Sequence, residues 1–252
     1  MEVHHHPHVE KKNFKEYFLE FLMIFLAVTM GFFAETIREH FSDKEHEKKY
    51  IQSLYFDLKD DTANLSGNIP YWELITKKID TLRTELKKGD DMNKNLANIM
   101  ACYVRDYGNF LYHDRTIAQL KSSGNFRIIT NSSLADSIME YDSYILSQLR
   151  DQEAHGQRLY INANNIRDRL FDSELTNINL QYGRHYVDSL LAANSSDYKI
   201  HLNNKELLFE FYNALQYWQT GIRWRLHSYI YLQKKATNMI NIIKKEYNVE
   251  NE

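Results

Sequence analysis

The segment FKEYFLEFLMIFLAVTMGFFAETIREHF, residues 14–41, is strongly apolar in a chain that is otherwise polar, and its nature determines where the protein is located. Residues 21–34 carry no charge, whereas charged residues make up 26% of the whole chain. A transmembrane helix needs about 20 mostly apolar residues, and residues 18–34 approach this length if Glu20 lies near one boundary. The segment therefore predicts a membrane-spanning helix, with a buried core helix and a secretion signal as alternatives.

A cleavable secretion signal requires a basic start, an apolar stretch and a small-residue cleavage site. Lys11, Lys12 and Lys15 provide the basic start. The cleavage site is missing, because bulky Phe32 stands close before Ala34 where a small residue is needed. If the protein is exported, we expect this segment to stay attached as an anchor.

One stripe of the predicted membrane helix has the composition of a helix contact. At about 100° per residue, Glu20, Ile24, Ala27 and Gly31 share a narrow face. Ala27 and Gly31 form a small-xxx-small pair, which allows two membrane helices to approach closely. Glu20 either extends to the lipid headgroups or, as a protonated carboxyl, donates a hydrogen bond across the interface between two helices.

The basic residues that flank the segment are nearly balanced between its two sides. Positive charge favours the cytoplasmic side of a membrane helix. The flanking residues are Lys11, Lys12 and Lys15 on the N-terminal side, and Arg38, Lys44, Lys48 and Lys49 on the C-terminal side. The tighter N-terminal cluster predicts a cytoplasmic N-terminus and a large domain outside the cytoplasm.

The first residues contain the sequence HHHPH, with His4, His5, His6 and His8. A flexible imidazole cluster of this kind is a possible site for zinc, copper or nickel. An expression tag is the alternative explanation. Neither explanation gives a structured active site, because a terminal cluster lacks the surrounding groups that orient metal ligands.

Three stretches resemble an uncharacterised family of small bacterial envelope proteins that have one N-terminal transmembrane helix and a helical C-terminal region. They are HHHPH, then KKNFKEYFLEFLMIFLAVTMGFFAE with the following REH, and LKSSGNFRIITNSSLADSI. The resemblance implies that the histidines are native, that the segment is a true anchor, and that the protein lies in the bacterial inner membrane. It implies no activity, so no functional residues follow from it.

The remainder of the chain predicts an all-α fold, because its 252 residues include only two prolines and eight glycines. Apolar residues recur every three or four positions. We expect a flexible N-terminus at residues 1–13 and an anchor helix at residues 14–41. The anchor is expected to continue into an elongated antiparallel helical bundle at residues 42–252. Within the bundle we expect the first helix to reach Gly67 and Pro70, and further helices at residues 71–88, 92–107, 114–121, 134–171, 187–193 and 208–247.

Local signals indicate where these helices end or bend. Gly89 after two lysines is typical of a C-terminal cap. Ser133 with Asp136 resembles a capping box at the start of the helix at residues 134–171. Gly156 within that helix predicts a kink or a close helix crossing.

Composition excludes several classes of function. The formal net charge of −3 gives no footprint for nucleic acid. A single cysteine, Cys102, excludes an intramolecular disulfide, and it is expected to be a buried thiol. The sequence contains no phosphate-binding glycine loop, metalloprotease motif or nucleophile elbow, so it predicts neither a cofactor nor a catalytic residue.

Two clusters remain as candidates for a polar or ligand-binding site. The first, YVRDYGNFLYHDR, contains Arg105, His113 and Asp114, and its alternative interpretation is a polar helix junction. The second, GIRWRLHSY, contains Arg223 and Arg225, and a solvated or interhelical face is the alternative.

Three functions are consistent with these patterns. The first is a non-catalytic membrane scaffold or accessory subunit of an envelope complex, either a homo-oligomer or bound to other membrane proteins. The second is an extracytoplasmic helical sensor that binds a small ligand and acts through a separate membrane partner. The third is an enzyme with its site near His113.

Overall fold

The computed structural model describes residues 13–171, Ser189 and residues 204–249. Their all-α architecture is as expected, and no β-strand occurs in these ranges. The six α-helices described are α1 Phe14–Lys87, α2 Lys94–Cys102, α3 Arg115–Ser123, α4 Ser132–Tyr144, α5 Arg150–Leu170 and α6 Lys205–Tyr247. Short helical turns are Gly89–Asp91, Tyr103–Arg105, Asn125–Ile128 and the π-helical turn Ile145–Leu149. The helix expected at residues 187–193 lies outside the described residues.

The chain divides into two compact units, Met1–Tyr50 and Ile51–Glu252, and the division falls within α1. In the first unit, the described residues form a helix whose large apolar side chains are exposed. The second unit contains the helical bundle and its core. The boundary expected from the sequence was nine residues earlier, between residues 41 and 42, because the apolar run ends there.

Helix α1 passes through Gly67 and Pro70, so the expected separate helix at residues 71–88 is wrong. Proline removes one backbone donor and usually bends a helix. Here Pro70 lies on the exposed side of α1, and Leu65 and Trp72 on either side of it are buried. The buried stripe, which includes Leu58, Leu65, Trp72, Ile75, Ile79 and Leu82, keeps its spacing across the proline. Packing along that stripe therefore outweighs the loss of one hydrogen bond.

Helix α6 lies antiparallel to α1 and to α4–α5 within the bundle. Along α1, Ser66 contacts Gln233 and Arg83 contacts Tyr212, so the two helices run in opposite directions. Along α4 and α5, the pairs Glu140–Lys235 and Arg169–Glu210 give the same result. The 43 residues of α6 therefore reach both partners, and its buried side chains form much of the core.

A close crossing joins α5 and α6 at Gly156 and Gly221. A Cβ atom on Gly221 would lie 3.2 Å from Leu159 Cδ1 and 3.8 Å from the Gly156 Cα. Because such distances leave almost no room for a side chain, the two glycines allow the backbones to meet. Of the two possibilities expected at Gly156, the structure has the close crossing, while the helical irregularity lies earlier, at the π-helical turn Ile145–Leu149.

The caps agree with the sequence at one helix end and differ at another. Gly89 has a φ of +61°, a conformation that glycine adopts readily, and it follows the end of α1 as expected. At the start of α4, however, Asn131 is the cap, because its side chain accepts a hydrogen bond from the Leu134 amide at 2.8 Å. The expected Ser133–Asp136 box is therefore wrong by two residues, since Ser132 and Ser133 already belong to the helix.

Candidate functional site

The segment of residues 106–114, between the turn Tyr103–Arg105 and α3, is anchored by side chains from distant helices. Glu153 accepts from the Phe110 amide at 3.0 Å, and Asp61 accepts from the His113 amide at 2.9 Å. Arg225 donates to the Gly108 carbonyl at 2.8 Å. We call this segment the clamped loop. Backbone polar groups away from water need partners, and here single side chains supply them.

Asp61 accepts several hydrogen bonds at the C-terminal end of the clamped loop. Its Oδ1 lies 2.9 Å from both the backbone nitrogen and the ring Nδ1 of His113, and its Oδ2 accepts from the Tyr141 hydroxyl at 2.9 Å. The residue is completely buried. Burial raises the pKa of Asp61 to about 6, although the bonds from His113 and Tyr141 favour the charged form. This carboxyl therefore joins α1, the clamped loop and α4.

Asp57, one helical turn before Asp61, holds the start of α3. Its Oδ2 accepts from the Thr116 amide at 3.0 Å and from the Thr116 hydroxyl at 2.6 Å. Its Oδ1 accepts from Arg115 Nη2 at 2.5 Å. Asp114, the residue at the N-cap position, makes no side-chain cap bond. Asp57 thus caps α3 from another helix, where a negative charge is favourable.

Asp142 forms a third buried carboxyl contact near the clamped loop. It accepts from the Tyr112 hydroxyl at 2.9 Å and pairs with the Lys121 ammonium. Burial, followed by the charge of Asp142, raises the pKa of Tyr112. Tyr112 is therefore a neutral hydrogen-bond donor that connects the loop to α4.

Arg225 is buried in α6 with an exposed fraction of only 1%. Its guanidinium carbon lies 4.4 Å from the ring centroid of Trp72, 5.4 Å from that of Trp218 and 5.5 Å from that of Tyr107. Among the described side chains, no carboxylate forms an ion pair with it. A buried cation without a carboxylate is costly, and the aromatic faces and the Gly108 carbonyl stabilise this one.

The residues predicted from the two sequence clusters do not form one site. His113 lies in the clamped loop and is bound to Asp61. Arg225 lies on α6 and binds the Gly108 carbonyl of the loop. Arg105 and Asp114 are exposed, and Arg223 is half-exposed with its Nη2 3.8 Å from Asp80 Oδ2. The polar helix junction, the alternative interpretation of the first cluster, describes the geometry of His113 better than a catalytic site does.

The chemistry available to His113 is limited by its partners. A carboxylate that orients a histidine is half of a catalytic arrangement, which also requires a nucleophile or a bound substrate. The hydrogen bonds described for His113 both go to Asp61. They orient the imidazole ring and fix the backbone, as a structural contact does.

Metal ligation has little support in the described part of the chain. Residues 13–171 and 204–249 contain no group of three His, Cys, Asp or Glu side chains placed to hold a metal ion. Cys102 is buried in α2, as expected for a structural thiol. His4, His5, His6 and His8 lie outside the described residues.

The acidic residues that anchor the clamped loop and the start of α3 were not predicted from the sequence. Asp57 and Asp61 follow the same spacing as the buried Leu54, Leu58 and Leu65 of α1. An acidic residue in phase with an apolar stripe indicates a buried charge that needs donors nearby. Asp142 and Glu153 have the same signal, since each lies four residues after a buried apolar residue of its helix segment, Ile138 and Leu149 respectively.

The stripe of Glu20, Ile24, Ala27 and Gly31 lies in the first unit. Ile24 is 66% exposed, Glu20 is partly exposed, and a Cβ atom at Gly31 would meet no atom within 4 Å. Among the described helices, α1 has a stretch near the N-terminus that is long and apolar enough to cross a membrane. None of that stretch is buried within the protein.

Comparison with protein-family models, with curated proteins and with solved structures finds no match for this chain. Its function is therefore inferred from its own residues.

Proposed function

We propose that this protein is a non-catalytic, single-pass membrane scaffold or accessory subunit of an envelope complex, and that it is oligomeric. The observation that carries the proposal is the exposed apolar stretch of α1. An exposed apolar surface of this length is unfavourable in water and favourable in a lipid bilayer. The alternative of a buried core helix has no support, because none of this stretch is buried.

The internal use of the polar groups supports a structural role for the bundle. Asp61 and Glu153 bind backbone of the clamped loop, Asp57 binds the first turn of α3, and Arg225 binds the Gly108 carbonyl. These are the charged groups that a catalytic site would otherwise present to a substrate.

Two aromatic residues on α6 support contact with another protein. Tyr217 and Trp224 are seven residues apart, so they share one face of the helix, and their exposed fractions are 64% and 54%. Tyrosine and tryptophan are enriched in protein interfaces. A partner or a second copy that covers this face would bury both rings.

Self-association is expected to depend on Gly31. Gly31→Leu places bulk between helices that meet through Ala27 and Gly31, and it should weaken the oligomer about tenfold, a change of about 1.4 kcal/mol. Native mass spectrometry of the full-length protein, extracted gently from its membrane, measures the oligomer fraction at several protein concentrations.

Thr29→Leu provides the matched control, because Thr29 lies on the opposite face of the same helix turn. It should leave the oligomer unchanged. If Gly31→Leu also leaves assembly unchanged, the stripe is not the contact. A stoichiometric second protein in the spectrum would instead assign the role of accessory subunit.

The orientation proposed is a cytoplasmic N-terminus and a periplasmic bundle in the bacterial inner membrane, from the cluster of Lys11, Lys12 and Lys15 on the N-terminal side of the apolar stretch. Ser122→Cys introduces a thiol at an exposed position of α3, whereas the native Cys102 is buried. We expect a membrane-impermeant maleimide to label Ser122→Cys in intact spheroplasts and to leave the wild type unlabelled. Labelling only after lysis would place the bundle in the cytoplasm.

A further inference from the structure

A cavity of about 350 Å³ lies between the end of α1 and the beginning of α6. Leu86 on α1 and Leu208 and Phe209 on α6 form its apolar wall. Phe209 is 68% exposed, although it is among the largest apolar side chains of the bundle. The volume is within the range of small-molecule sites, which is about 300–1,000 Å³.

The remaining lining of the cavity is polar, and it includes two lysines. Lys87 and Lys205 line it together with Tyr212. Arg83 donates to the Tyr212 hydroxyl at 2.9 Å, and its guanidinium carbon lies 4.7 Å from the ring centroid. The Lys87 ammonium lies 5.6 Å from the same centroid. Two positive groups, Arg83 and Lys87, therefore lie against one phenol.

The positive charge favours the ionised form of the phenol, and it is only weakly compensated by a negative group. A hydrogen bond with Lys87 and the charge of Arg83 lower the pKa of Tyr212. Asp90 also lines the cavity, with its Oδ2 3.9 Å from Lys205 Nζ. Both of those side chains are more than four-fifths exposed, and exposed pairs at this distance interact weakly. Lys205 thus remains available to a stronger anionic partner.

We propose that this cavity binds a small organic anion, a carboxylate carried on an apolar body. The body covers Leu86, Leu208 and Phe209, which removes exposed apolar surface from water. The carboxylate accepts hydrogen bonds from Lys87 and Lys205, and such charge-assisted bonds are stronger than neutral ones. Tyr212 can add a third bond, since its oxygen accepts from Arg83 and its proton remains to be donated.

The apolar and the cationic lining residues each exclude a different class of ligand. An inorganic anion would use the lysines and leave Phe209 exposed, and an organic cation would face Lys87 and Lys205 with the same sign of charge. A neutral apolar molecule would gain nothing from the ammonium groups. Together, the apolar and the cationic lining residues favour an organic anion. This binding site goes beyond the scaffold role.

Isothermal titration calorimetry tests the site with 3-phenylpropionate as the probe. The full-length protein is held in lipid nanodiscs, and empty nanodiscs provide the blank. We expect one saturable site with a Kd below about 1 mM. The neutral 3-phenylpropanamide, which has the same apolar body, should bind about tenfold more weakly. Equal binding of both compounds, or no saturable binding of the carboxylate, would overturn the proposal.

Variants locate the binding at this cavity. Lys87→Gln and Lys205→Gln should each weaken 3-phenylpropionate binding about tenfold, and Phe209→Ala should weaken the carboxylate and the amide alike. The matched controls are Lys77→Gln on α1 and Lys234→Gln on α6, which remove one exposed lysine each outside the cavity. A loss of binding in the controls equal to that in the cavity variants would mean non-specific attraction and overturn the proposal.

The same variants separate this site from the proposed scaffold. None of them lies in the membrane stripe, so the oligomer seen by native mass spectrometry should persist when ligand binding is lost. We expect Lys205→Gln to fold as the wild type does, because the Lys205 side chain is 84% exposed. If that variant folds and still binds the probe with wild-type affinity, Lys205 does not contact the anion and the proposed site is wrong.

Discussion

Asp61→Ala is expected to lower the free energy of unfolding of the bundle by about 3 kcal/mol or more at pH 7. The substitution leaves the His113 amide and the buried Tyr141 hydroxyl without an acceptor. Each unsatisfied buried donor costs about 1–3 kcal/mol. Urea unfolding in detergent micelles, followed by tryptophan fluorescence, measures the loss, because Trp72, Trp218 and Trp224 all lie in the unit Ile51–Glu252.

Asp60→Ala is the matched control for this experiment. Asp60 precedes Asp61 in the same helix and is exposed, so the two variants make the same change in charge and helix propensity. Exposed substitutions of this kind usually change stability by less than about 0.5 kcal/mol. If the two variants were equally stable, Asp61 would not hold the clamped loop.

The pH dependence of stability provides a second readout for Asp61. Its pKa rises from an ordinary value near 3.8 to about 6 because the carboxyl is buried. Between pH 4 and pH 6 the folded protein therefore binds more protons than the unfolded chain does. Stability contributed by this group falls as pH rises through that window, by about 3 kcal/mol for about two pKa units.

Asp61→Asn isolates this effect from other carboxyls, including Asp57 and Asp142. The asparagine does not titrate, so the difference in stability between wild type and variant should decrease steadily from pH 4 to pH 6 and then level off. A difference that stays constant over this range would mean that the carboxyl has its ordinary pKa. Thermal or urea unfolding at intervals of half a pH unit resolves the curve.

Arg225→Ala is expected to cost about 3–5 kcal/mol, the range for removing a large buried side chain. The loss combines a cavity among Trp72, Trp218 and Tyr107 with an unpaired Gly108 carbonyl. Arg223→Ala, two positions earlier on α6, removes a half-exposed arginine and should change stability by less than about 0.5 kcal/mol. Urea unfolding of the three proteins in parallel gives both values.

Arg225→Met separates the packing of the side chain from its charge. Methionine fills much of the same space, and replacing a buried charge by an apolar residue of similar volume is often neutral. We expect this variant to recover more than half of the stability lost in Arg225→Ala. If Arg225→Met is as unstable as Arg225→Ala, the guanidinium bond to Gly108 and the aromatic contacts carry the effect. If Arg225→Ala stays within 1 kcal/mol of wild type, the buried arginine is not structural.

The fold was largely predictable because helix periodicity is a local property. The long helix α6 and the helix that contains α4 and α5 follow directly from apolar spacing. Pro70 was misleading, since its effect on a helix depends on which face it occupies and on the packing beyond it. Within α6, apolar spacing predicts Leu226 in the core. Instead Arg225 is buried and Leu226 is partly exposed, because aromatic rings from α1 and the clamped loop surround the guanidinium.

The anchoring contacts were much less predictable than the helices. His113 and Arg225 stood out in the sequence, but their partners lie 52 and 117 residues away. Hydrogen bonds over such separations depend on how whole helices pack against one another. A single sequence does not reveal that packing. The anion cavity is a similar case, because its lining residues come from the end of α1 and the start of α6.

The clamped loop also has a consequence for the order in which the chain assembles. Asp57 and Asp61 are synthesised before the loop, so they can engage Thr116 and His113 as soon as α3 emerges. Glu153 follows later, and Arg225 belongs to α6. Closing a contact between distant residues costs entropy and slows folding. The Gly108 carbonyl therefore receives its partner only after α6 is synthesised, and a nascent chain that lacks α6 holds the loop through Asp61 and Glu153 but leaves Gly108 without Arg225.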